Sequence, residues 1–363
     1  MPRRRVLWLA TAVAAVLVIA GAGLAYALTS RNDSPPTAAP SAAPSVARTS
    51  ASPAPSPGAD ITGPLDLLLV GVDTRVTIPD WEPHADSIMV MHVEADLRSA
   101  YLTSLPRDLR VSMPAFAPAG FPGGRYKITE AMSRGSRVPG SKKPNPEQGY
   151  QLLSRVVSSY TGIKKFHAGA VLTFTGLSRL TDALGGVTMR IDTKVLSQHR
   201  KPDGTLRPMR PGGGGYTGPQ ATYLPGSRTL VGWQALDYAR QRYGLKNGDY
   251  DRQRHQRQLV AALLAKAASS GLATDQPKLD AVLRAMGDTL VYAGDRSPVE
   301  YAYAVRDLEP SGITLVGLPG DSVLSGGGYL GEQLLPVGRA YFKAVAQGRV
   351  AAFVAAHPEL VNK

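Results

Sequence analysis

Five arginines, Arg240, Arg242, Arg252, Arg254 and Arg257, fall between Tyr238 and Arg257. A guanidinium stays charged at any usable pH and offers phosphate two parallel N–H donors. Residues two apart in an extended segment point the same way, so Arg240 and Arg242 can reach one anion if the preceding helix has ended there. The run Gly248-Asp249-Tyr250-Asp251-Arg252 then reads as a turn into a helix, on which Arg252 and Gln256, four apart, share a face. An Arg-x-Arg pair joined by a turn to Asp249-x-x-Arg252 suits a diphosphate. Arg254 and Arg257 fall on other faces of that helix and read as solvated charges.

Further polar groups sit where short apolar runs end. Val70-Gly71-Val72-Asp73-Thr74-Arg75 closes one, Asp86-Ser87 precedes another, Leu105-Pro106-Arg107-Asp108 closes a third, and Lys127 opens a helix Ile128–Arg134. In open α/β sheets such ends border the ligand crevice, so these groups can converge with the arginine turn. Each alone is unspecific, because an Asp after a strand is more often a cap or turn residue.

The elements that must hold them are legible as patterns. Runs 65–70, 88–93, 100–105, 168–172, 187–191 and 313–318 read as strands. Helical spacing covers 148–160, 174–184, 231–240, 251–268, 278–290, 298–308 and 336–347. Alternation of the two implies an α/β fold, a three-layer α/β/α sandwich around a mixed central sheet. The Phe174, Leu177 and Leu180 stripe has helical spacing and reads as core packing, with the lining of an apolar lipid pocket as the alternative. The stretch 197–225, with four consecutive glycines at 212–215, is too long for a simple connection; it reads as a disordered insertion, with a lid as the alternative.

Ahead of this domain, Arg3, Arg4 and Arg5 precede an uncharged run, Val6 to Leu28, which as a helix is about 34 Å long and spans a bilayer. The expected organisation is a cytoplasmic tail (1–5), one transmembrane anchor (6–28), a disordered Pro/Ala/Ser linker (29–63) and an extracellular domain (64–363). That domain has a core at 65–268 and a helix-strand extension at 276–363. Ala25-Tyr26-Ala27 would also suit a cleaved signal peptide, but the apolar run is long for one. The 41 Lys and Arg against 28 Asp and Glu give a net charge of +13, favouring acidic partners. About five residues before the span are too few for a DNA-binding module, so no nucleic acid is expected. The absence of cysteine excludes disulfides, thiolate nucleophiles and Cys-ligated zinc.

Taken in order, the blocks Val70 to Arg75, Asp86-Ser87-Ile88-Met89, Leu105 to Asp108, Lys127-Ile128, Phe174-x-Gly176 to Val187, Tyr238 to Arg242 and Gly248 to Arg252 resemble the LytR-CpsA-Psr family. The resemblance covers about 65 to 268, and the anchor and linker fit it. It implies a phosphotransferase that moves a glycopolymer from a polyprenyl-diphosphate carrier to a peptidoglycan hydroxyl, releasing polyprenyl phosphate. By the same resemblance Asp73 and Asp86 would hold Mg²⁺ or Mn²⁺, and Arg75, Arg107, Arg240, Arg242 and Arg252 the diphosphate. Lys127 and Gln256 would add donors, and Asp249 would orient Arg252 or Arg242, or act as base toward the acceptor. Phosphoryl transfer depends on positioning and charge neutralisation more than covalent help, which these residue types supply. The chain departs from the family pattern at His84 and His255, where arginine is commoner, and at Thr129 after Lys127-Ile128.

Two other functions fit the same composition. A carrier-diphosphate hydrolase would use these groups with water as acceptor. A non-catalytic wall-glycan binder would need the positive charge but no paired aspartates.

Overall fold

The computed structural model describes residues 57–73, 81–272 and 276–362. The expected tail, anchor, most of the linker and Arg75 lie outside the described residues. Among those described, no helix is long and apolar enough to cross a membrane.

The chain begins with β1 (Leu65–Asp73), β2 (His84–Val93) and β3 (Ala100–Leu105), then a hairpin of β4 (Arg110–Met113) and β5 (Gly124–Lys127). Helices α1 (Thr129–Ser136) and α2 (Pro146–Thr161) lead to β6 (Ala168–Thr173) and α3 (Phe174–Ala183). Next come β7 (Val187–Ile191), β8 (Val195–Leu196), β9 (Thr222–Tyr223), β10 (Gly226–Leu230), α4 (Gly232–Arg240) and α5 (Asp249–Ser269). The remainder forms α6 (Gln276–Met286), β11 (Leu290–Gly294), α7 (Pro298–Ala304), β12 (Ile313–Val316), β13 (Gly320–Ser325), β14 (Gly328–Leu334), α8 (Pro336–Ala346) and α9 (Val350–Ala356).

Six strands make the central sheet in the order β11-β6-β1-β2-β3-β12. It is mixed: β1 runs antiparallel to β2 but parallel to β6, and β12 is parallel to β3. Leu68 and Val70 of β1 pack with Leu152, Leu153 and Phe342 on one side of the sheet. Leu67 and Leu69 pack with Leu264 and Tyr301 on the other. A strand buried on both faces must be apolar throughout, which is why β1 reads as an unbroken run. The expected mixed α/β fold with a central mixed sheet therefore holds.

One irregularity positions the site. Gly71 opposes Ser87 and Val72 opposes Ala85, leaving Asp86 as an extra residue in β2. This β-bulge lets both Ala85 and Ile88 stay in the same core cluster while Asp86 leaves the ladder.

Three expectations change. The helix expected over 278–290 ends at Met286, because Leu290–Gly294 pairs with β6 as an edge strand. Lys127 closes β5 opposite Arg110 rather than opening a helix. The stretch 197–225 is not a disordered insertion: Ser197 hydrogen-bonds Asp237 at 3.0 Å, and Arg207 donates to the carbonyls of Gln198 at 2.7 Å and Gly218 at 3.0 Å. Backbone acceptors there take the place of a hydrophobic core.

Candidate active site

A polar cleft opens at the ends of β1 and β2. Among the described residues, Arg107, Arg240, Arg242 and Arg252 line it with two carboxylates, Asp73 and Asp86. The loop after β3 supplies Arg107, which ion-pairs with Asp86. Desolvation opposes the Arg107 charge, but Asp86, helped by Asp249 and Asp108, raises the guanidinium pKa. Arg240, the last residue of α4, lies 3.6 Å from Asp73 and stacks 4.5 Å from the Phe174 ring centre. The helix ends there because Gln241 is extended (φ −66°, ψ 134°), as the Arg-x-Arg reading required.

Beyond the turn, Gly248 takes φ +52°, a conformation costly for residues with a Cβ, and swings the chain into α5. Arg252 on its first turn is 5 % exposed, forms an ion pair of 2.7 Å with Asp249 and donates to the Asp86 carbonyl at 3.2 Å. Its burial lowers its pKa below the ordinary arginine value. The Nε atoms of Arg107 and Arg252 are buried without an acceptor among the described residues. Among the described residues, four guanidiniums against two carboxylates, with these unused donors, leave the cleft net positive and able to take an anion.

Next to the cleft lies an apolar pocket between the sheet and helices α3, α4 and α5. Leu69, Met89, Leu177, Leu180 and Leu263 line it, and Phe174 and Arg240 belong to both chambers. The stripe of Phe174, Leu177 and Leu180 lines this pocket, while Leu180 and Leu177 also pack in a core cluster as expected. Gln256 also faces this pocket, one turn beyond Arg252.

The structure thus brings Asp73, Asp86, Arg107, Arg240, Arg242 and Arg252 together and sets Asp249 behind Arg252. Lys127 stands apart: it lies 3.4 Å from Asp108 and 4.7 Å from the Tyr329 ring centre. His84 is the cross-strand partner of Asp73.

Arg254 and Arg257 are not solvated charges. Arg254 is paired with Asp192 and, at 3.4 Å, with Asp251. Arg257 is 2 % exposed. His255 is fully buried and stacked 4.3 Å from Tyr238, and desolvation lowers its pKa to about 4. Although Nε2 lies 3.9 Å from Asp192, burial dominates and keeps the ring neutral.

Sequence reasoning missed Gln198, His199, Tyr216 and Tyr243, which complete the cleft wall. His199 and Tyr216 meet edge to face at 5.0 Å, folding the glycine-rich stretch over the arginines. Nothing periodic marks them; the length of that stretch was the available signal.

Asp73 and Asp86 give hard oxygen donors on neighbouring strands facing one cleft, which fits Mg²⁺ or Mn²⁺ completed by ligand oxygens. Among the described residues no group of three or more His, Cys, Asp or Glu forms a self-sufficient metal cage.

Comparison with known proteins follows the same lines. The chain is 29 % identical over 297 residues to the cell wall biosynthesis protein LcpA of Corynebacterium glutamicum, covering 76 % of this chain and 53 % of that one. It is 27 % identical over 206 residues to the polyisoprenyl-teichoic acid–peptidoglycan teichoic acid transferase TagU of Enterococcus faecalis, covering 57 % and 54 % respectively. The chain thus spans about half the length of these curated relatives. A crystal structure of a Streptococcus agalactiae protein shares the fold with TM-score 0.58 at 22 % identity, covering 78 % of this chain and 88 % of that one. Residues 36–334 match the model of the LytR_cpsA_psr family, and the chain belongs to that family.

Proposed function

We propose that this protein transfers a glycopolymer from a polyprenyl-diphosphate carrier to a peptidoglycan hydroxyl. The observation that carries this reading is the junction of the two chambers at Phe174 and Arg240. A lipid diphosphate has one charged end and one apolar end. The arginine cleft matches the first and the Leu-lined pocket the second. The name of the E. faecalis relative joins the same three chemical parts: a polyisoprenyl carrier, a wall polymer and peptidoglycan.

In the proposed step the acceptor hydroxyl oxygen forms a bond to the sugar-bearing phosphorus. The anhydride P–O bond breaks, and polyprenyl phosphate leaves with the electron pair. Asp249 takes the hydroxyl proton. Arg107, Arg240, Arg242 and Arg252 hold the diphosphate oxygens, where preorganised donors matter most as charge develops. Asp73 and Asp86 would hold Mg²⁺ or Mn²⁺, which would neutralise diphosphate charge. Arg75 is assigned to the same diphosphate. Lys127 stands beside Asp108 and Gln256 faces the apolar pocket, so both are assigned as outlying donors. The Val6 to Leu28 run is assigned as the anchor that places this domain outside the cell, where the acceptor lies.

The test incubates the full chain with a polyprenyl-diphosphate glycan and peptidoglycan fragments and reads products by mass spectrometry. A joined product with released polyprenyl phosphate is expected. Cleaved carrier with free glycan phosphate and no joined product would instead identify a hydrolase. An unchanged donor would leave only glycan binding.

A further inference from the structure

On the side of α5 away from the apolar pocket lies a second, open groove of about 740 Å³. Its walls include Asn247, Tyr250 and Gln253 from the helix start, the 317–320 segment after β12, and Asn362. Arg257 also lines this groove. Its guanidinium donates to Asn362 Oδ1 at 2.5 Å, while Nε is buried without an acceptor among the described residues. Among the described residues no carboxylate lies within ion-pairing distance of it. Burial, and then the like charge of Arg254, lower the Arg257 pKa to about 9, although Asp251 and Glu359 also line the groove without pairing with it. A buried guanidinium with no anion is costly unless something completes it.

The groove also adjoins the proposed chemistry. Asp249 faces Arg252 of the cleft with Oδ1, and its Oδ2 accepts from Gln253, a groove residue, at 3.2 Å. Asp249 therefore stands in the wall between the two depressions. We propose that this groove is the acceptor subsite and that Arg257 binds a carboxylate of the peptide carried by the peptidoglycan acceptor. This rests on the transfer reaction above. The groove volume suits a ligand of disaccharide-peptide size, within the roughly 300 to 1,000 Å³ typical of small-molecule sites. A planar guanidinium with an unused Nε donor is the kind of group that takes a carboxylate.

The experiment uses the full chain with donor held constant and two acceptors: a disaccharide-peptide fragment, and the same fragment with its peptide carboxylates amidated. Amidation should raise the acceptor KM at least tenfold and leave kcat at saturating acceptor unchanged. Asn362→Asp places a resident carboxylate beside Arg257. It should raise the melting temperature, raise the KM of the carboxylate fragment at least tenfold, abolish the difference between fragments, and leave the donor KM alone. Arg257→Ala removes the site but can fail to fold, so Asn362→Asp is the deciding variant. A raised melting temperature with unchanged acceptor KM would show that Arg257 only supports the fold, and the proposal would be overturned. If no joined product forms with any acceptor, calorimetric binding of the carboxylate fragment decides separately. Weaker binding to Asn362→Asp than to wild type keeps the acceptor site although transfer has failed; equal binding removes it.

Discussion

Asp249 and Arg252 face each other across one turn of α5 at 2.7 Å, with the same guanidinium donating to the backbone of Asp86 on the central sheet. The pair ties the arginine turn to the strand that carries the carboxylate. Removal of Arg252 should reduce transfer by roughly a hundred- to thousandfold, the scale set by loss of one oxyanion donor. Arg252→Lys should recover little, because an ammonium lacks the planar fork. Wild-type rates from Arg252→Lys in single-turnover assays would show that Arg252 acts only as a positive charge.

Phe174 supports Arg240 from below and floors the entrance to the apolar pocket. Phe174→Ala removes a contact worth about 1 kcal/mol and opens the boundary between chambers. Donor KM should rise several-fold, and Phe174→Tyr should restore it. A donor lacking the polyprenyl chain should be far less sensitive to the substitution. Equal sensitivity of both donors would remove the pocket from the lipid role.

Asp73→Asn and Asp86→Asn should both fold and both lose the dependence of transfer on added Mg²⁺ or Mn²⁺. The check is a metal titration after chelation, with the melting curve as control. A normal metal response in both variants would return these aspartates to the role of arginine partners.

His255 predicts a pH dependence of stability. The unfolded imidazole titrates near 6.5 and the folded one near 4, so between these values the unfolded chain binds more protons. Stability is therefore complete above about pH 6.5 and falls as pH drops toward 4, by as much as about 3 kcal/mol. His255→Phe, which keeps the stack on Tyr238, should flatten that part of the curve. Parallel curves for the two proteins over pH 4 to 6.5 would mean that other groups set the slope.

Arg254 joins Asp192 after β7 to Asp251 on its own helix. Arg254→Ala should lower the unfolding free energy by about 1 kcal/mol. Asp192→Asn should do much the same, and the double variant should cost less than the sum. Full additivity in denaturant unfolding would mean the pair contributes nothing.

The strands and helices around the cleft were legible because their apolar residues recur at fixed spacing, and because Asp73, Asp86, Arg107 and the arginine turn sit at element ends. What spacing does not carry is which faces of an element are covered. A helical wheel separates Arg257 from Arg252 correctly, yet only the folded chain brings Asn362 across it. Likewise β11 resembles a helix end until β6 supplies its ladder. The cleft wall of His199 and Tyr216 is built by side-chain bonds to backbone carbonyls, which leave no periodic trace.

Asp86 is carried outside the pairing count of β1 and β2. Every neighbour keeps its partner whether or not that residue is present, so excising it would close the ladder into a regular one with Ala85 and Ile88 still inward. Excising a residue from within the regular stretch 89–92 would instead turn part of the strand over and expose its core side chains. The ladder is thus indifferent to Asp86, and the demand for it comes from the cleft, where its carboxylate pairs with Arg107 and its carbonyl accepts from Arg252. A chain lacking it should be a well-folded protein that has lost its chemistry.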